Sequence, residues 1–186
     1  MKVGVLLLLG VLLTSCARSP NAQFYTLTPL PFKTTHSKPY QNIRIGISEV
    51  NLPAYLSKPE IVVRSVGQQV DLKNFHQWAG SLSNNIQSVI AANLTTLLPG
   101  AAVATFPWNV NFKPNYQLHL DVAQFEVDKQ GNSVLRADYI IYSNDELYKK
   151  GTLYYHQHVP TVNVAALVSS MNANLTQLTR DLSRVM

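Results

Sequence analysis

The chain has 186 residues, of which 46% are hydrophobic and 13% charged, and 15 Lys and Arg stand against 10 Asp and Glu for a net charge of +5. A chain of this length can bury a full core without disulfide or metal support, and its one cysteine, Cys16, excludes an internal disulfide framework and a Cys-based metal site. The basic balance does not point to nucleic acid, because Lys149-Lys150 is the only adjacent basic pair and nucleic-acid surfaces need a denser stripe.

In chain order, Met1-Lys2 is followed by the apolar run Val3–Leu13 and then by Thr14-Ser15-Cys16. A short positive start, an apolar h-region and small residues before a cut describe a secretory signal. The run falls short of the ~20 apolar residues needed to span a bilayer. Leu13-Thr14-Ser15-Cys16 is similar to a bacterial lipobox, which implies that residues 1–15 are removed and that Cys16 becomes the lipidated, palmitate-bearing first residue of the mature chain. Ala17, rather than Asp, after the cysteine favours sorting to the outer membrane, again by resemblance. The mature protein is then expected on the periplasmic side, in an oxidising compartment. Residues 16–22 read as a short lipidated tether, and residues 23–186 as a single α/β periplasmic domain. A mildly basic surface suits anionic headgroups nearby.

Gln23–Leu27 reads as a first strand, closed by Pro29 and Pro31. Ile43, Ile45 and Ile47 alternate with Arg44, Gly46 and Ser48, the period of a strand with one buried face. Val50 and Leu52 shift that phase, so a bulge is expected near Ser48-Glu49. Glu60–Ser65 and Gln69–Lys73 read as a hairpin about Val66-Gly67-Gln68. Ser81 is a helix N-cap. The helix after it carries Leu82, Ile86, Val89, Ile90, Leu94 and Leu97 on one stripe, with Asn84, Asn85, Gln87 and Ser88 opposite, and ends at Pro99-Gly100. A strand over 101–106 follows. Tyr116, Leu118, Leu120 and Val122 alternate until Phe125 and Val127 take over, which places a second bulge near Ala123-Gln124. Strands over 133–143 and 146–159 complete an antiparallel meander. Val164, Leu167, Val168, Met171, Leu175, Leu178, Leu182 and Val185 then mark a long amphipathic helix. The fold class is therefore α+β: a two-layer sandwich of a mostly antiparallel sheet with both helices on one face.

No catalytic constellation is visible. His156 and His158 share a strand face, but no third ligand completes a zinc site. Asp121 and Glu126 are close in sequence, yet the bulge between them leaves their relative faces open. Gly-x-Ser-x-Gly elbows and Gly-rich phosphate loops are lacking. The expectation is a non-enzymatic protein with no cofactor and no metal. The unusual residues are apolar ones in loops: Leu52, Pro53, Tyr55, Leu56 and Pro59, then Trp78, then Pro107 and Trp108. Loop aromatics are enriched at interfaces, so these eight are candidate partner contacts. They serve equally well as caps on the hydrophobic layer.

The same residues carry a resemblance. Phe24-Tyr25-Thr26-Leu27 after a lipobox, Val50–Leu56, Pro59–Arg64, His76–Leu82, Ala92-Asn93-Leu94, Leu98-Pro99-Gly100 and Pro107-Trp108 resemble, in order and spacing, the PqiC/YmbA family of ABC-type transport auxiliary lipoproteins. The resemblance implies an outer-membrane lipoprotein that acts as a docking subunit for an MCE-domain protein of an inner-membrane ABC lipid transport system. It further implies homo-oligomer formation, contact with phospholipid, and a role in intermembrane lipid trafficking and envelope integrity. An alternative of similar size and fold is a periplasmic lipoprotein that activates a cell-wall synthase or assists lipopolysaccharide assembly.

Overall fold

The computed structural model describes residues 20–32 and 35–186. The signal segment, Cys16 and most of the expected tether lie outside the described residues. Eight strands and two helices follow in order: β1 Gln23–Tyr25, β2 Arg44–Asn51, β3 Glu60–Arg64, β4 Val70–Trp78, α1 Leu82–Leu97, β5 Ala102–Thr105, β6 Tyr116–Asp128, β7 Asn132–Ser143, β8 Glu146–His158 and α2 Val164–Ser183. A single 3-10 turn, Ala54–Ser57, sits between β2 and β3.

The sheet is mixed and branched, and β6 is its spine. One edge of β6 pairs with β7 along nearly its whole length, and β7 pairs with β8, both antiparallel. The other edge is shared. β2 runs parallel to Tyr116–Asp121, and β3 resumes in the same direction at Val127-Asp128. β2 and β3 are thus one interrupted strand laid along β6, and residues 52–59 bridge the interruption. β5 extends the branch from β2; β4 and then β1 extend the branch from β3. Most paired residues belong to the antiparallel ladders, while β2 pairs in parallel with β5 and β6, β3 with β6, and β1 with β4.

Both expected bulges are present, between Ile47 and Val50 in β2 and at Ala123 between Val122 and Gln124 in β6. Each shifts the side-chain phase by one, which keeps Val50 and Phe125 on the core side after the break. Both helices pack on this one face. Ile45, Ile47, Leu118, Phe125, Ile141, Ile90, Leu94, Leu175 and Leu178 are fully buried and form the middle of one continuous core. Ser81 caps α1 by accepting the Asn84 N–H at 3.4 Å. Asn163 caps α2 by accepting the Ala166 N–H at 2.9 Å.

The polar side of the α1 pattern puts Gln87 toward solvent, yet it is buried and donates through Nε2 to the carbonyls of Ile47 (3.1 Å), Ser48 (3.0 Å) and Phe106 (3.4 Å). At the β2 bulge the amide from the helix above bonds the Ser48 carbonyl and adds a partner to the Ile47 carbonyl, which already accepts the Phe106 N–H at 2.9 Å.

The candidate contact surface

The interruption between β2 and β3 is where the candidate loop forms. Pro53 and Pro59 bracket it, neither can donate a backbone hydrogen bond, and the Leu56 N–H closes the 3-10 turn on the Pro53 carbonyl at 2.9 Å. Leu56 drives into the core at 2% exposure. Leu52 and Pro53 are half-buried, and Pro59 is exposed.

Beneath the loop lies the buried Glu126, on the sheet face opposite the helices. Its Oε1 accepts from Arg64 Nε at 2.6 Å and Nη2 at 2.5 Å, and its Oε2 accepts from the Tyr55 hydroxyl at 3.0 Å. A carboxylate removed from water needs this degree of pairing. Burial, reinforced by the charge of Glu126, pushes the Tyr55 phenol up to about 12. The hydrogen bond to Glu126 likewise raises Arg64. The three side chains tie the loop to the point where β3 rejoins β6. Asp121 lies on the other side of the Ala123 bulge, exposed and bonded to Asn51, so the structure does not bring Asp121 and Glu126 together.

The second group of candidates lies on the branch formed by β2 and β5. Trp108 packs over Gly46 so closely that a Cβ there would stand 2.9 Å from the indole. Phe106 and Phe112 flank that indole edge-on, with ring centroids at 5.5 and 6.3 Å. Pro107, joined to Phe106 by a cis bond, is exposed, and Trp108 is half-buried. Trp78 ends β4 and is 5% exposed. Of the eight candidates, Leu56 and Trp78 therefore belong to the core. Pro59 and Pro107 present surface, while Leu52, Pro53, Tyr55 and Trp108 present one side each.

Two open grooves run beside the first turns of α1. One, of about 300 Å³, is lined by Tyr25, Thr26, Trp78, Ser81, Asn84 and Ser88. The other, of about 590 Å³, adds Glu49, Gln87, Phe106 and Pro107. Amides and hydroxyls share the first groove about equally with apolar surface from Tyr25 and Trp78, and polar groups prevail in the second. Among the described residues no three His, Cys, Asp or Glu side chains cluster as a metal site. His158 instead pairs with Asn132 at 3.0 Å. No described helix is long and apolar enough to cross a membrane.

Sequence reasoning missed an asparagine clamp. The extended segment after β1 lies along the helices, and side chains from both hold its backbone. Asn85 Oδ1 accepts the Leu27 N–H at 2.7 Å, Asn172 accepts that of Thr28 at 2.9 Å, and Asn93 accepts that of Leu30 at 2.6 Å. Leu27 is buried between these bonds. The available signal was Asn93 inside an otherwise apolar helix stripe, since a buried amide requires a partner.

Comparison with known proteins places these features in a family. Residues 25–183 match the model of the ABC-type transport auxiliary lipoprotein component family. The chain is 22% identical over 151 residues to the intermembrane transport lipoprotein PqiC of Escherichia coli K12, covering 81% of this chain and 79% of that protein, and it matches the Shigella flexneri PqiC to the same extent. Among solved structures, the protein XCC0632 of Xanthomonas campestris superposes with a TM-score of 0.73 at 17% identity, covering 87% of this chain and 93% of that one. A match to the family model across nearly all of the described fold assigns the chain: it belongs to the ABC-type transport auxiliary lipoprotein component family.

Proposed function

We propose that this chain is an outer-membrane lipoprotein, anchored through Cys16 after removal of residues 1–15, that serves as the non-enzymatic docking subunit of an MCE-type ABC lipid transport system. The observation that carries this reading is the family match over residues 25–183, together with the similarity to a protein described as an intermembrane transport lipoprotein. The site chemistry is compatible with it. Loop residues 52–59 are fixed by the Tyr55–Glu126–Arg64 cluster, and the Phe106–Trp108–Phe112 cluster is fixed over Gly46. Both are held in place, so a partner can be bound without first ordering a loop. The 16–22 tether is too short to cross the periplasm, so the inner-membrane partner must come to the lipoprotein. Copies of the chain associate around that partner in this reading, and phospholipid passes through the partner's conduit rather than through a cavity in this fold.

The test is chemical crosslinking of native envelopes, followed by purification of the lipidated protein and mass spectrometry of proteins and lipids. Recovery of an MCE-domain protein with phospholipid is the expected result. Recovery of a cell-wall synthase or a lipopolysaccharide-assembly protein in its place would overturn the proposal.

A further inference from the structure

The β1–β4 edge carries an apolar surface that no part of the docking reading uses. Its geometry follows from register on either side of an irregularity in β4, where Lys73 pairs with Ile61 but Gln77 with Glu60. Val70 pairs with Arg64 and Leu72 with Val62, and Arg64 reaches Glu126 on the helix-free face, so Val70 and Leu72 share that face. On the helix side of the same edge, Trp78 is buried and the Tyr25 and His76 rings meet at 5.7 Å. Tyr25 pairs with Trp78 and Phe24 with Gln77. Alternation therefore turns Phe24 and Phe75 to the helix-free face. All four side chains are open to solvent: Phe24 at 64%, Phe75 at 45%, Leu72 at 43% and Val70 at 37%, with Val66 at 81% on the hairpin tip beyond them.

We propose that this stripe, Phe24, Phe75, Leu72 and Val70 with Val66 at its end, lies on the phospholipid surface to which the chain is anchored, and so sets how the folded chain stands on its membrane. The proposal rests on the lipid anchor of the preceding section. Two observations select lipid over a protein. Cys16 precedes Gln23 by seven residues, which reach at most about 25 Å when fully extended, and Phe24 is the next residue along the chain. The stripe is therefore the apolar surface nearest the anchor in sequence. Its area is also small: two half-exposed Phe side chains and their aliphatic neighbours amount to roughly 300–400 Å², well under the ~800 Å² per partner of a stable protein interface. Apolar side chains entering the headgroup boundary need no such area and no shape match. In this orientation β8, five strand spacings from β1 across the sheet, stands about 24 Å away along the sheet, free of lipid.

The experiment uses the mature acylated protein in vesicles of phosphatidylethanolamine and phosphatidylglycerol doped with a headgroup-nitroxide lipid. Acylation consumes the Cys16 thiol, so Phe75→Cys, Leu72→Cys and Tyr154→Cys each supply one site for an environment-sensitive fluorophore; Tyr154 is on β8 and 61% exposed. The expected result is a blue shift with several-fold stronger nitroxide quenching at positions 72 and 75 than at 154. Adding Phe24→Ser should reduce the shift at position 75. Equal, weak quenching at all three positions in vesicle-bound protein overturns the proposal while leaving the anchor intact. A blue shift without nitroxide quenching means that protein covers the stripe, which also overturns it. The mass of the N-terminal peptide reports acylation separately, and a peptide without acyl mass at Cys16 refutes the anchor and this orientation together.

Discussion

Replacing Arg64 with Met isolates the most concentrated electrostatic commitment in the fold. Glu126 is 4% exposed, and among the described residues Arg64 is its one cationic partner, with two nitrogens at 2.5 and 2.6 Å; the arginine side chain itself is 33% exposed. Removing one partner of a fully buried pair costs about 3–5 kcal/mol. Water can enter from the exposed arginine side, which reduces the expected loss to about 2–3 kcal/mol. Urea unfolding followed by tryptophan fluorescence would read this as a lowered midpoint at unchanged slope, by about 1 M or more for ordinary slopes. The informative comparison is with Arg64→Met combined with Glu126→Leu. An apolar pair of similar volume removes the stranded carboxylate, and the half-exposed Tyr55 hydroxyl can turn to water, so the double variant should recover most of the loss. A single variant that loses less than about 1 kcal/mol, the range of a surface ion pair, would refute the reasoning. So would a double variant no more stable than the single one.

Other expectations follow from the same structure. Gly131→Ala sets a Cβ 2.4 Å from the Val159 carbonyl oxygen at a φ of +88°, and should cost about 2 kcal/mol or more in thermal unfolding. Gly46→Ala must displace the Trp108 indole, at a cost of about 1–3 kcal/mol, and should red-shift tryptophan emission. Asn93→Ala removes the acceptor for the Leu30 N–H. About 1–2 kcal/mol of stability should be lost, with faster hydrogen exchange at Leu30 as the local readout. At alkaline pH the two raised phenols set the sign. Burial first, and then Glu126 for Tyr55 and Asp181 for Tyr155, hold both well above an ordinary tyrosine, Tyr55 at about 12. Between pH 10 and about 12 the folded protein therefore retains protons that the unfolded chain has released. Their contribution is complete below pH 10 and is lost as pH rises through that window, and Tyr55→Phe should flatten the fall in urea midpoint.

Much of the fold was legible because period and phase carry direct physical meaning. Val50 after Ile47, and Phe125 after Val122, break a strict alternation, and only an inserted residue returns both to the core; hence both bulges could be read from the chain. The stripes from Leu82 and from Val164 likewise fix two one-sided helices. Sharing of β6 by β2 and β3 was not legible, because it depends on which distant strands meet rather than on any local pattern. Burial of Glu126 was hidden for the same reason: its partners Tyr55 and Arg64 lie more than sixty residues away in sequence. Gln87 looked polar and therefore external, while the carbonyls it serves exist only once β2 bulges. Leu56 and Trp78 read equally as partner contacts or as caps on the hydrophobic layer, and the 3-10 turn and the end of β4 direct both inward. The stripe of Val70, Leu72 and Phe75 escaped notice because apolar strand residues usually face a core, and only the sheet topology shows that both described helices pack on the other face.

In the proposed function this lipoprotein meets an MCE-domain partner through its fixed loop surface. Site-specific photocrosslinking in living cells tests that contact, with a photoreactive residue at Pro59, at Pro107, or at Tyr154 on the far strand. Covalent adducts to an MCE-domain protein are expected from Pro59 and Pro107, and weak or none from Tyr154. Adducts to that protein from Tyr154 alone, or from none of the three while the protein remains folded and membrane-bound, would contradict it.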